Sequence, residues 1–326
     1  MDNKKDFSAN LAKLIKNREL LIILIILIIF FSVMSDTFFT TSNITNILLT
    51  TSIGGLLALG LALVMMCGDF DLSFASACGL INIIILILID KGLSLWIVFP
   101  LGILAGVLWA GLNSLLIVKL GMHAFVATIA TWTMCTGFIY WISGGATFYG
   151  DYPKSLTFIG RGTMGIFPIS SIIFAVVAVI TILLTNYSKF GRHVYAVGDN
   201  SEAAEYVGID SKKIRIISFL LEGFFIGLAA VILSSKLCSG PATGGTGFQM
   251  PVIASAFLGA TVFRPGLVNI GGSILGVFLL SIIENGLVML NVRWYFKYII
   301  QGLIIIGAIT FISLRGKRKS EGPKFL

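Results

Sequence analysis

Ile47-Leu-Leu-Thr-Thr-Ser-Ile-Gly-Gly-Leu-Leu-Ala-Leu-Gly-Leu-Ala-Leu-Val-Met-Met66 runs for twenty residues without a charge. As a helix rising 1.5 Å per residue it measures about 30 Å, the thickness of a bilayer's hydrocarbon core. A second apolar run, 72–89, follows after only Cys67-Gly68-Asp69-Phe70-Asp71, a junction short and polar enough for a broken or re-entrant element. Working outward, further apolar runs lie at 20–35, 95–118, 124–143, 166–185, 214–236, 249–263, 270–290 and 297–314. The fourth in chain order holds Pro100 and is expected to tilt or bend, and the eighth, 249–263, is short for a crossing.

Composition agrees with the runs. Of 326 residues, 57% are hydrophobic and only 12% charged, against roughly 25% charged in soluble domains. A soluble enzyme, a nucleic-acid-binding domain and a disordered chain are excluded. Long apolar runs rather than ten-residue alternation exclude a β-barrel. The expected fold is all-α, a polytopic transmembrane helical bundle of about ten spans with both termini cytoplasmic. Its parts are a cytoplasmic segment 1–19, a membrane domain 20–314 with a cytoplasmic loop 186–213, and a basic tail 315–326. No small-residue cleavage site follows Val33-Met34-Ser35-Asp36, so the first run reads as an uncleaved span. Charge supports this sorting: seventeen of the 23 Lys and Arg fall in inner segments and six in outer ones, the stretch between runs seven and eight being counted as outer. The net charge of +8 is then a topology signal and an attraction to anionic lipid, not a nucleic-acid footprint. Cys67, Cys78, Cys135 and Cys238 show no C-x-x-C spacing, and no metal site is expected.

Within the loop 186–213, Ser201 reads as an N-cap, Glu202 and Glu205 suit the positive end of a helix dipole, and Gly208 stops the helix after about two turns. So short a helix gains little by standing alone in water. It either docks into a partner's groove or is an ordinary loop helix.

The spacing Glu202-Ala203-Ala204-x-x-x-Gly208 resembles the EAA loop of ABC importer permeases. Gly191-Arg-His-Val-Tyr-Ala-Val-Gly-Asp-Asn200 resembles a stretch of that family's ribose/monosaccharide branch, Gly68-Asp-Phe-Asp-Leu-Ser73 its G-G-I-D-L-S signature, and Asn285-Gly286-Leu287 a further motif. Together they cover about 50–312 in order. Two departures stand out. Asp69 replaces a second Gly, and Gly259-Ala-Thr-Val-Phe-Arg-Pro-Gly-Leu-Val-Asn-Ile-Gly-Gly-Ser273 replaces a shorter glycine-rich motif. The resemblance implies a permease subunit whose 202–208 helix couples to nucleotide-binding ATPase subunits. It also implies a second permease copy or homologue, an extracytoplasmic solute-binding protein and location in a bacterial plasma membrane. ATP and Mg would be used by the partner, with no cofactor on this chain. In keeping with this, no G-x-x-x-x-G-K-[ST] occurs, the one Gly-Lys pair being Gly316-Lys317.

Glu222 and Glu284 sit inside apolar runs, where a carboxyl is a functional hypothesis by default. Three readings stand open: helix-to-helix hydrogen bonding or an ion pair with a flanking cation, a polar lining for a hydroxylated solute, and proton coupling in a secondary transporter. Asp69, Asp71 and Ser73 read as caps of the following span, or as groups facing a pathway beside Asn285. In the outer loop 144–165, Phe148, Tyr149, Asp151 and Tyr152 are candidates to meet a binding protein, or else pack on the membrane surface. The faint echo of 68–76 in 265–273 hints at an internal repeat or at chance. The solute is expected to be a ribose-like sugar, with a nucleoside, an amino acid or a proton-driven carrier as alternatives.

Overall fold

The computed structural model describes residues 19–263 and 266–317. The basic residues of segment 1–19, Arg264-Pro265 and most of the tail 315–326 lie outside the described residues. All ten apolar runs contain a helix. In order these are α1 (Glu19–Met34), α2 (Thr41–Met66), α3 (Phe74–Asp90), α4 (Leu95–Ser114), continued by a π-turn Leu115–Lys119, and α5 (Ala124–Ser143). Then follow a short α6 (Thr157–Arg161), a two-stranded hairpin of β1 (Thr163–Met164) and β2 (Phe167–Pro168), and α7 (Ile169–Tyr187). The chain continues through α8 (Lys189–Asp199), α9 (Ser201–Tyr206), α10 (Ser211–Leu237), α11 (Gln249–Gly259), α12 (Ile270–Met289) and α13 (Trp294–Lys317). Six helices are long and apolar enough to cross a membrane: α2, α4 with its π-turn, α5, α7, α10 and α12. The chain is a polytopic helical membrane protein.

Side chains at the helix starts explain where several begin. Thr40 accepts from the Asn43 N–H, Asp210 from the Lys213 N–H at 2.9 Å and Asn269 from the Gly272 N–H at 2.8 Å. Pro100 falls early in α4, and the helix runs through it.

The core is a pillar, α2, whose residues from Thr51 to Met66 are all buried. It packs against α10, α12, α7 and α11. One close helix crossing is α4 on α10, where Gly106 meets Gly223 and Gly227. A Cβ on Gly106 would lie 2.7 Å from the Gly227 nitrogen, so the backbones touch. Around the rim, Ile26, Ile29, Leu104, Leu108, Val179 and Ile180 point outward, as a lipid-facing surface requires. Trp96, Trp141 and Trp294 are exposed at the helix ends nearest the hairpin, where indole rings suit a membrane–water interface. The opposite end carries α8 and α9.

Candidate functional site

Four of the polar residues singled out in the sequence meet at one place. After Met66 the chain turns at Gly68, whose φ is +87°, and runs irregularly to Phe74. Asp69 receives a two-pronged contact from Arg215 on α10, Nε at 2.7 Å and Nη2 at 2.6 Å. Asp71 is fully buried. One carboxylate oxygen accepts the Ser73 N–H at 2.5 Å and the other accepts Asn113 Nδ2 from α4 at 2.9 Å. The Ser73 hydroxyl makes no capping bond. It accepts from Asn113 at 2.8 Å and from Trp109 Nε1 at 3.2 Å, because α4 crosses directly over the turn. Asp71 thus caps only the single N–H of Ser73, and Ser73 ties α3 to α4. Thr128 on α5 donates to the Phe70 carbonyl at 3.3 Å, and Gln249 at the start of α11 donates to the Leu72 carbonyl at 3.4 Å. The connection 67–73 is therefore clasped by α4, α5, α10 and α11.

Glu222, fully buried on α10, faces the same junction as Asp71, and neither of its carboxyl oxygens has a hydrogen-bond partner among the described residues. Gly60 makes room for it, since a Cβ there would come within 2.9 Å of Glu222 Cγ. Arg215, the cation that reaches this junction, is held by Asp69. The ion pair is partly buried, so its loss is measurable. Asp69→Ala is expected to cost on the order of 2 kcal/mol, the scale of hydrogen bonds to a charged group. A thermal unfolding series on the detergent-purified protein, run as a double-mutant cycle with Arg215→Ala, checks it; additive losses would contradict the coupling.

A second feature lies alongside. α10 ends at Cys238, which takes φ +48°, and the chain does not turn back at the membrane surface as an outer loop would. Gly240 exchanges two backbone hydrogen bonds with Phe148, at 2.9 and 2.8 Å. Asn82 on α3 donates to the Ser239 carbonyl at 3.4 Å and accepts the Ser234 hydroxyl at 2.7 Å. Gly240 lies against Ile83, and five residues on Gly245 lies against Ala75 and Gly79, so the irregular, turn-rich segment runs antiparallel to α3. A 3₁₀ turn, Thr246–Phe248, then starts α11, which at eleven residues is about 16 Å long and half a bilayer deep. Irregular backbone at that depth is tolerated only where protein or a water-lined cavity surrounds it.

Glu284 and Asn285 lie apart from this junction. Glu284 pairs with Lys297 on α13 at 3.0 Å and accepts Gln301 Nε2 at 2.5 Å. Asn285 and Asn43 exchange amide bonds at 2.7 and 2.9 Å, pinning α12 to the start of α2. A cavity of about 180 Å³ opens beside Glu284, bounded by α2, α12, α13 and the start of α11.

At the end opposite the hairpin, Ser188 caps α8 by accepting the Gly191 N–H at 3.2 Å. Val194 and Val197 bury one face of α8, while Gly191 and Gly198 let its backbone press on the Thr185 and Met66 carbonyls. α9 is capped by Asn200, whose Oδ1 accepts the Ala203 N–H at 3.1 Å; Ser201, the expected cap, is instead its first helical residue. Gly208, at φ +84°, follows the helix as expected. Of the motif, Ala204 is buried against the bundle, and Glu202, Ala203 and Gly208 are exposed. Beside them Tyr206 and Val207 stand 92% and 75% exposed, two apolar side chains in water that the motif alone does not point to. Helix α8 also escaped the sequence reading, although Phe190, Val194 and Val197 fall at helical spacing.

The loop between α5 and α7 divides its four candidates. Phe148 and Tyr152 pack on the core, Phe148 through its pairing with Gly240. Burial, helped by the Asp90 carboxylate beside it, pushes the Tyr152 hydroxyl up to about 12. Tyr149 and Asp151 are exposed, with the Asp151 N–H held by Asp90 at 3.0 Å. Among the described residues no group of three His, Cys, Asp or Glu side chains gathers as a metal site would need.

The sequence profile described as "Branched-chain amino acid transport system / permease component" matches residues 43–309. The chain is 29% identical to the ribose import permease protein RbsC of Haemophilus influenzae, over 86% of its own length and 88% of that protein's. It is 32% identical to the L-arabinose transport system permease protein AraH of Escherichia coli, over 86% of each chain. It is 31% identical to the D-allose transport system permease protein AlsC of the same species, again over 86% of each. No solved structure matches it significantly.

Proposed function

We propose, because this chain belongs to the branched-chain amino acid transport system / permease component family, that it is the membrane-spanning subunit of a bacterial ABC importer for a monosaccharide, placed in the plasma membrane. Three relatives named for ribose, arabinose and allose favour a sugar over the amino acid of the family's description. The membrane domain 20–314 then crosses ten times, nine times as helices and once, between α10 and α12, as the irregular segment plus the half-helix α11. Both termini, α8 and α9 lie in the cytoplasm, and the hairpin lies outside.

The observation that carries this reading is the exposed apolar face of α9, Tyr206 and Val207, at the end of a six-residue helix held between two spans. It fits a groove on a nucleotide-binding ATPase subunit, which would use ATP and Mg. A second permease copy completes the pathway, and a solute-binding protein docks at the hairpin end near Tyr149 and Asp151. When the ATPases close, α9 moves with them. The rigid α8 bears through Gly198 on Met66, and so on the clasped 67–73 connection with Asp71 and Glu222. Alternating access follows if that clasp holds one state and yields in the other.

A proton-driven carrier is the second reading, and the two buried carboxyls Asp71 and Glu222 at one junction are what favour it. Glu284, occupied by Lys297 and Gln301, offers it less. The two readings separate in one preparation. The chain purified in mild detergent is expected to bring a P-loop ATPase with it, identified by mass spectrometry, and Ala203→Asp is expected to lose that partner while the permease stays in the membrane. Recovery without any ATPase, with uptake that follows a proton gradient and fails in Glu222→Gln, would move the assignment to the carrier.

A further inference from the structure

The cavity beside Glu284 lies where the broken crossing leaves the other helices without a continuous neighbour. Its floor is Phe248 and Val252, from the 3₁₀ turn and the first turn of α11. Its polar groups come from three other helices: Thr50 of α2, Ser281 and Glu284 of α12, and Lys297 of α13. At about 180 Å³ it has the volume of roughly six waters at about 30 Å³ each, the scale of a single sugar ring. Thr50 lies nine residues into α2, and Lys297 lies three into α13. The cavity therefore sits in the half of the bundle nearest the hairpin, the side from which solute enters under the proposed topology.

The chemistry of the lining is selective. Glu284 and Lys297 close on each other at 3.0 Å, so this pair adds polar groups but no net charge to a mostly apolar wall. Thr50 accepts the Lys236 ammonium at 3.0 Å, which turns its own hydroxyl hydrogen free to donate elsewhere. The Ser281 hydroxyl serves as donor or acceptor. An anionic solute would compete with Glu284 for Lys297 and leave a partly buried carboxylate without its counter-ion. A cation would strand Lys297 in the same way, and an α-amino acid would have to open the pair to seat its own two charges. A neutral polyol avoids all three. The Phe248 ring supplies the flat apolar face on which the C–H side of a sugar ring rests. From these contacts the geometry points to a binding site for a neutral monosaccharide in this cavity, with the Glu284–Lys297 pair excluding charged analogues. This rests on the importer reading for its direction of entry and deepens it with a site inside the membrane.

The test uses Ser281→Cys in a Cys238→Ser background, in which the three remaining cysteines are buried, with Thr50→Cys as a second reporter should the first not fold. Intact membranes are labelled with N-ethylmaleimide. D-Ribose, L-arabinose or D-allose is expected to slow labelling about threefold, as a site two-thirds occupied would, while L-leucine and the aldonate D-ribonate have no effect. Adding Glu284→Gln frees Lys297, and D-ribonate is then expected to protect, a gain that a purely structural role for the pair would not produce. Labelling unchanged by all three sugars, protection by L-leucine equal to theirs, or no labelling of either reporter would overturn the site. ATP-driven uptake in the same membranes keeps the two claims apart. Uptake without protection removes the site and leaves the importer. Protection without any ATP-driven uptake keeps the site and removes the importer.

Discussion

Tyr206→Ala is expected to reduce ATP-driven sugar uptake by about thirtyfold, with the permease still recovered from the membrane at wild-type yield. Tyr206 is 92% exposed at the end of α9, so its removal breaks no contact within the chain. A buried aromatic anchor at an interface is worth about 2 kcal/mol or more when truncated, which is about thirtyfold. The local helix does not depend on it, because Asn200 caps α9 and the Ser211 hydroxyl donates to the Ser201 carbonyl at 3.0 Å. Co-purification of the ATPase should fall with uptake. Ala204, buried in the same helix, is the contrasting position: enlarging it disturbs the fold as well. Full uptake by Tyr206→Ala with the ATPase still bound would mean that α9 is not where force enters.

Gly245→Ala is the second large effect, and it acts at the other feature that sets this bundle apart. The irregular segment between α10 and α11 passes so close to α3 that a Cβ on Gly245 would overlap the Ala75 carbonyl oxygen and lie 2.9 Å from the Gly79 nitrogen. Both neighbours are backbone and cannot rotate away. Overpacking of this kind costs about 1–3 kcal/mol. Here the strain falls on the segment that starts α11 and reaches Leu72 through Gln249. The variant is expected to melt lower in detergent and to lose most of its uptake. Alanine at Gly137 on α5, which has open space around it and lies away from the cavity, is the control expected to leave both unchanged.

The helices were legible because an uncharged hydrophobic run of bilayer length is stable in few settings besides a membrane. Asp69, Asp71, Ser73 and Glu222 were legible for the converse reason, being polar groups where polar groups are costly. The partners that gather them were not. Asn113, Trp109, Thr128 and Gln249 are scattered polar residues in three different segments, and only the crossing of α4, α5 and α11 over one turn brings them together. The run Ser239-Gly-Pro-Ala-Thr-Gly-Gly-Thr-Gly247 reads as a water-exposed loop by composition. Yet the same glycines let bare backbone lie flat against α3, so the segment enters the bundle. At α9 the error was one residue, Ser201 for Asn200, since both side chains cap well and backbone geometry chooses between them. The echo between 68–76 and 265–273 is not a repeat in detail. The Ser73 hydroxyl joins a neighbouring helix, whereas Ser273 donates to the Asn269 carbonyl of its own.

The pillar α2 has a consequence for how the protein is made. It is the second apolar helix to leave the ribosome, yet the helices that enclose it, α10 and α12, begin only at Ser211 and Ile270. During synthesis of that intervening chain, Gly54, Gly55 and Gly60 face lipid or insertion machinery rather than their final neighbours. Small residues on a helix invite close association with any other helix that passes. The most central element of the finished bundle is thus made well before the helices that enclose most of it. A chain truncated before α10 would present to the cell's quality-control proteases the surface that the complete protein hides best.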